Sequence, residues 1–289
     1  LDGIEASADV TDATNVDAAG AVMNSDTSTA SMSFVIDEDN MSSNSATKVP
    51  TQQSVKAYVD ASGGGGGASE IDDLSDAKTT GTANLGLGSQ ALNNISNGAF
   101  NVAVGNASQF TNVSSSYNVS LGNSSLYYNT GGDRNVALGY YALNANTTGD
   151  NNIAIGSNTL NDNTTASNNI AIGKSALQTH QTGNSNIAIG YESQFRNNGG
   201  FSNTSVGYEA LYENSNGSND GYCPAIGAYS LRYNTEDNIT AIGYKAGYSN
   251  TSGLNNTFVG NSAGEDCTTA SALTAVGRNA GANVTTGNG

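Results

Sequence analysis

The sequence predicts an all-β fold, a parallel β-roll or solenoid of about twelve coils, and three observations predict it. A core of the form aliphatic, small, aliphatic, Gly recurs twelve times, ending at Gly88, Gly105, Gly122, Gly139, Gly156, Gly173, Gly190, Gly207, Gly227, Gly243, Gly260 and Gly277. The first seven steps are 17 residues each, and 20, 16, 17 and 17 follow. The local period is two, as in Ile153-Ala154-Ile155, which is the alternation of a short strand. Gly, Asn and Thr punctuate every repeat, which opposes a helical solenoid.

Each element of the repeat has a physical reason. The residue before the Gly is Val, Leu or Ile in all twelve repeats. The residue two before it is Gly, Ala or Ser in eleven, with Phe258 the exception. The Gly ends the strand because it tolerates positive φ and close backbone approach. A second short strand holds a small residue three after the Gly and, in seven repeats, a Leu four after it, such as Leu160. Asn, Thr and Gly make the turns. A lone coil buries too few aliphatic groups to offset the ordering of its backbone, so coils must stack and share one core. On this reading the paired aliphatic residues face that core. The small residues between them face outward, where a second chain can approach closely. Several copies then pack by that face, most simply three around an axis.

Composition sets the limits. The 289 residues include 25 acids and 9 bases, a net charge of −16, with 36 Gly, two Cys and one His. The acidity opposes nucleic-acid binding. No apolar run reaches the roughly 20 residues of a membrane helix, so no membrane insertion is expected. No C-x-x-C spacing points to zinc, no calcium-binding repeat occurs, and no metal or cofactor is expected. Leu, Ile, Val and Phe make up about 17% of the chain, a level at which high charge favours disorder. The charge, however, is concentrated in residues 1–80, at −11, against −5 for residues 81–289.

Four segments are expected. Residues 1–50 form an acidic connector with a short strand near Ser33 to Ile36. Residues 51–62 form a short helix with Thr51 as N-cap and Val55, Tyr58 and Val59 on one stripe, which three copies would bury together. Residues 63–80 form a Gly-rich linker around Gly63 to Gly67. Residues 81–289 form the roll.

The N-x-A-[IV]-G-x-x-[AS] core resembles the head repeat of trimeric adhesins of the YadA type, over residues 84–281. That resemblance implies a left-handed parallel β-roll with three rolls side by side, although the family's usual repeat is shorter. Residues 1–61, and KVPTQQSVKAYVD above all, resemble segments of tail-fibre proteins of marine bacteriophages. Together the resemblances imply an internal piece of a homotrimeric phage tail fibre. It would be virion-borne and extracellular, joined to other fibre proteins through its N-terminal region and attached to a host-surface glycan or protein. A bacterial trimeric autotransporter adhesin is the first alternative, selected by a C-terminal membrane β-barrel in the full-length gene.

No catalysis is expected, although a polysaccharide depolymerase spike is a further alternative. Asp133 and Asp150 share one column, and Glu192 and Glu209 another, at the separation of a retaining glycosidase pair. They read as solvated acids, because no cleft accompanies them. His180 reads as a turn substitution in a column that is mostly Asn, and Cys223 and Cys267 as thiols rather than a bridge. The binding candidates are Tyr140, Tyr191, Tyr208 and Tyr244, which follow the Gly directly. Asn219 and Asp220 join them, in the loop that the 20-residue step inserts.

Overall fold

In the computed structural model the described residues are 83–214 and 221–287, together with strands β1 (Val35–Ile36), β2 (Val49–Pro50) and β3 (Ala77–Thr80). The expected helix at 51–62, the Gly63 to Gly67 joint, Asn219 and Asp220 lie outside the described residues. The chain divides into two compact units, Leu1–Asp73 and Leu74–Gly289. In the first, β1 and β2 pair in parallel. The second holds β3 and the repeats, so the last four residues of the span read as a linker are in fact a strand.

The repeats form a β-solenoid. After β4 (Asn84–Leu87) come eleven three-residue strands, from β5 (Val102–Val104) to β15 (Thr274–Val276). All twelve lie side by side in chain order and in parallel. The register matches the sequence columns: Ile153 pairs Ile170, Ala154 pairs Ala171, Ile155 pairs Ile172. Stacked at about 4.8 Å, the twelve strands extend for roughly 55 Å. At the N-terminal edge β3 runs antiparallel to β4 and covers it.

Each coil has one strand, where two were expected. The segment after the Gly is a chain of turns, because the residues two and four after it take left-handed φ, as at Asn158 (55°) and Leu160 (48°). Inter-coil hydrogen bonding continues there nonetheless: Asn158 N–H donates to Tyr140 O at 2.9 Å in the preceding coil, and Leu160 N–H to Ala176 O at 3.0 Å in the next. The strand-ending Gly is obligatory on two counts. At Gly190 φ is 138°, and a Cβ would stand 2.2 Å from the Gly207 carbonyl oxygen.

The faces of the strand are the reverse of the expectation. Ala154, Ala171 and Ala188 are fully buried inside the coil, while the flanking Ile and Val side chains point outward and stay partly exposed. Leu121 is 51% exposed and Ile242 41%. The coil is too narrow for branched side chains on both walls. Its interior therefore takes one Ala or Ser from the strand, a second small residue from the turn, and the Leu four after the Gly. Large apolar residues are not confined to interiors, and here the packed space selected by size.

Two exceptions show how tightly size is matched. Phe258 replaces the inward Ala, and the coils around it carry Gly247 and Gly264 where Leu is usual. A Cβ at Gly264 would stand 2.2 Å from the Phe258 ring. Elsewhere Gln109 and Gln194 replace the Leu, and the facing strand residue becomes Ser. Gln109 Nε2 donates to Ser120 Oγ at 2.9 Å, and Gln194 Nε2 to Ser205 Oγ at 2.9 Å.

The remaining interior is amide. Four residues before the Gly, Asn side chains form a ladder in which Asn135 N–H donates to Asn118 Oδ1 and Asn135 Nδ2 donates to Gly149 O, both at 2.8 Å. Seven after the Gly a second ladder runs, with Asn146 Nδ2 donating to Asn129 Oδ1 and Asn163 Nδ2 to Asn146 Oδ1, each at 2.8 Å. These asparagines are wholly buried, and their mutual bonds satisfy groups that would otherwise be costly to bury. His180 interrupts the second ladder. Its ring is buried and faces the Asn197 carbonyl through Nδ1 and the Gly183 carbonyl through Nε2. Asn163 Oδ1, which an Asn at 180 would meet, has no hydrogen-bond partner.

Candidate functional site

The columns on the turn side of the coil carry the polar and aromatic groups. Residues one, two and five after the Gly lie close together there, and stacking brings the same columns of successive coils within ring contact. Tyr191 stacks on Tyr208 with centroids 5.1 Å apart, and Phe195 on Tyr212 at 5.2 Å. Tyr208 then meets Tyr229 edge-on at 5.2 Å, and Tyr229 meets Tyr244 at 6.1 Å and Tyr248 at 6.3 Å.

Three of the four candidate tyrosines thus join one cluster, with Tyr229 as the link. Tyr191, Tyr208 and Tyr244 are 38%, 44% and 46% exposed. Tyr140 is also exposed but stands apart, packed on Tyr141 at 4.5 Å. The column five after the Gly is half-buried within the chain, where Phe110 stacks on Tyr127 at 4.9 Å.

A recess of about 360 Å³ opens in the cluster, lined by Glu209, Tyr229, Arg232, Tyr244, Lys245 and Tyr248. Sequence reasoning named only Tyr244 as a binding residue here. Arg232 binds Glu209 at 2.5 Å and lies over the rings of Tyr233 (4.7 Å) and Tyr212 (4.9 Å). Lys245 binds Glu265 at 2.9 Å and lies over Tyr248 at 5.2 Å. The detectable signal was that Arg232 and Lys245, two of the six bases after residue 80, fall in adjacent coils amid tyrosines.

The charges in the recess are held in place. The hydrogen bond to Glu209 pushes the Tyr208 phenol up to about 12, so it stays protonated. Its hydrogen bond to Glu265 keeps Lys245 above the ordinary lysine value, and Lys245 in turn holds the Glu265 carboxyl below its own. These pairs are partly exposed, and screening limits what they add to stability.

The carboxylate columns have structural partners. Asp133 Oδ1 accepts Ser116 N–H at 2.8 Å, and Asp150 Oδ1 accepts Asp133 N–H at 2.7 Å, so each acid caps the backbone of the preceding coil. Glu209 is engaged by Arg232, so Glu192 and Glu209 are not two unencumbered carboxylates. Cys223 and Cys267 are free, buried thiols of one core cluster, and burial raises the Cys267 thiol above its ordinary value. Among the described residues no three His, Cys, Asp or Glu side chains gather as metal ligands, and no helix is long and apolar enough to cross a membrane. Compared with protein-family models, curated proteins and solved structures, the chain matches none.

Proposed function

We propose that this chain is a homotrimeric segment of a phage tail fibre, a stiff stack of coils that carries a host-binding surface on its turn side. The observation that carries the reading is the outward aliphatic face. From Val102 to Val276 every strand presents at least one Val, Leu, Ile or Pro side chain away from the coil interior, in one unbroken sheet. A monomer rarely leaves so long an apolar strip in water, and sister copies of the same face would cover it. The contact therefore runs through the aliphatic residues rather than through the alanines. The likeness of the repeat core to trimeric adhesin heads, and of the N-terminal segment to marine phage fibres, supports the assignment. Threefold display would multiply weak single contacts.

Sedimentation equilibrium of the whole chain tests it. The expected mass is three times the 29.2 kDa protomer. Ile155→Lys with Ile172→Lys should give a monomer that keeps its far-ultraviolet spectrum. A monomeric wild type would overturn the trimer. Failure of the trimer to adsorb to any bacterium in a marine host panel would overturn attachment.

A further inference from the structure

We propose that the recess between Tyr229, Tyr244 and Tyr248 is a binding site for one or two rings of an uncharged saccharide, a proposal that rests on the attachment reading and names its ligand class. Tyr229 stands at 81° to Tyr244 and 76° to Tyr248, so the recess is an aromatic corner. Cations already lie against these rings, Lys245 over Tyr244 at 5.7 Å and over Tyr248 at 5.2 Å and Arg232 over Tyr229 at 5.9 Å, so a pyranose would meet the remaining ring faces and the phenol hydroxyls beside N–H donors. Arg232, Glu209 and Lys245 supply donors and an acceptor around it.

The charge balance selects an uncharged ligand. Arg232 is neutralised by Glu209 and Lys245 by Glu265, so the recess has no unbalanced positive charge to favour an anion. A hydroxyl can instead bond to the outer N–H or lone pair of a group already paired. The site is also pre-formed. Tyr229 N–H donates to Tyr208 O at 2.8 Å and Lys245 N–H to Ala228 O at 3.0 Å, so the ladder that holds the coils together also holds the ligand-facing backbone. At about 360 Å³ the recess lies at the small end of ligand pockets, which run from about 300 to 1,000 Å³.

Calorimetric titration of the 289-residue chain with maltotetraose, cellotetraose, mannotetraose and galactotetraose, beside tetragalacturonate as the anionic counterpart, tests the site. At least one neutral tetraose should bind with a dissociation constant of about 1 mM or tighter. Tyr244→Ala removes an exposed ring and should leave the melting temperature unchanged while weakening binding about tenfold or more. Tyr140→Ala, in the same column but outside the recess, should change it less than about twofold. Binding of no neutral tetraose, binding of tetragalacturonate alone, or indifference to Tyr244→Ala would overturn the proposal. Adsorption to cells that survives Tyr244→Ala would sink the site and leave attachment standing. Tetraose binding by a chain that adsorbs to no cell would support the site and sink attachment.

Discussion

Substituting His180 by Asn probes the buried amide ladder at one of its interruptions. In the regular coils an Asn at this position gives one N–H to the Asn of the coil before and another to a carbonyl three residues on, as Asn146 does to Asn129 Oδ1 (2.8 Å) and Gly149 O (3.0 Å). His180 reaches Gly183 O but cannot reach back, and Asn163 Oδ1 is left buried without a donor. An unsatisfied buried acceptor costs about 1–3 kcal/mol. His180→Asn supplies that donor and forfeits the Nδ1 contact to Asn197 O, so a net gain of about 1–2 kcal/mol is expected. For a unit of this size that raises the melting temperature by roughly 2–8 °C. Acid should widen the gap. Burial lowers the His180 pKa below its ordinary value of 6.5, against the pull of the two carbonyls. The folded state then binds a proton less readily than the unfolded state. Its stability is complete above pH 6.5 and declines as the pH falls through that value. Thermal melts of both proteins between pH 5 and 8 measure the difference. A variant no more stable than the wild type at pH 7.5, or a gap that stays constant down to pH 5, would refute the reasoning.

Three further outcomes are expected. Phe258→Ala should lower stability by about 3–5 kcal/mol in denaturant titration, and adding Gly264→Leu should recover more than half, because Leu already occupies that column at left-handed φ, as at Leu231 (47°). Gln194→Leu alone should cost about 1–3 kcal/mol in chemical denaturation, since it strips the partner from Asn197 Nδ2, while Ser205 Oγ keeps its bonds to Ser193 Oγ and Ile187 O. Gly190→Ala should cost about 1–3 kcal/mol in backbone strain alone, with the clash against Gly207 O added, and should show as a lowered melting temperature or insoluble expression.

The coil period was legible because the strand-ending Gly cannot be replaced. From Gly88 to Gly260 each strand-ending Gly has φ of 122° or more and would bring a Cβ against the next coil's carbonyl, so the spacing could be counted directly. The direction of the strand faces was not legible. Ile153-Ala154-Ile155 alternates equally well either way round, and only the narrowness of the closed coil decides that Ala154 goes inside. The buried asparagines were misread for a related reason. Asn is common in turns, and nothing in a single coil shows that Asn135 will meet Asn118 one coil away. The binding surface was half legible. A column of exposed tyrosines could be read from Tyr191, Tyr208 and Tyr244, but Arg232 and Lys245 are fixed at the recess by contacts that cross coils, Arg232 with Glu209 and Tyr212 and Lys245 with Glu265.

The even register also fixes how the stack comes apart under load. Each strand after β4 is bonded only to the strands of adjacent coils, so a pull on one terminus peels coils singly instead of shearing the whole at once. A released coil of 17 residues adds about 50 Å of slack, its extended length less one step along the stack. The 20-residue step before Gly227 would stretch one tooth of the force trace to about 60 Å, beside a slightly short one from the 16-residue step. That pair forms a built-in ruler mark next to the tyrosine recess, and it would report which end of the protein yields first.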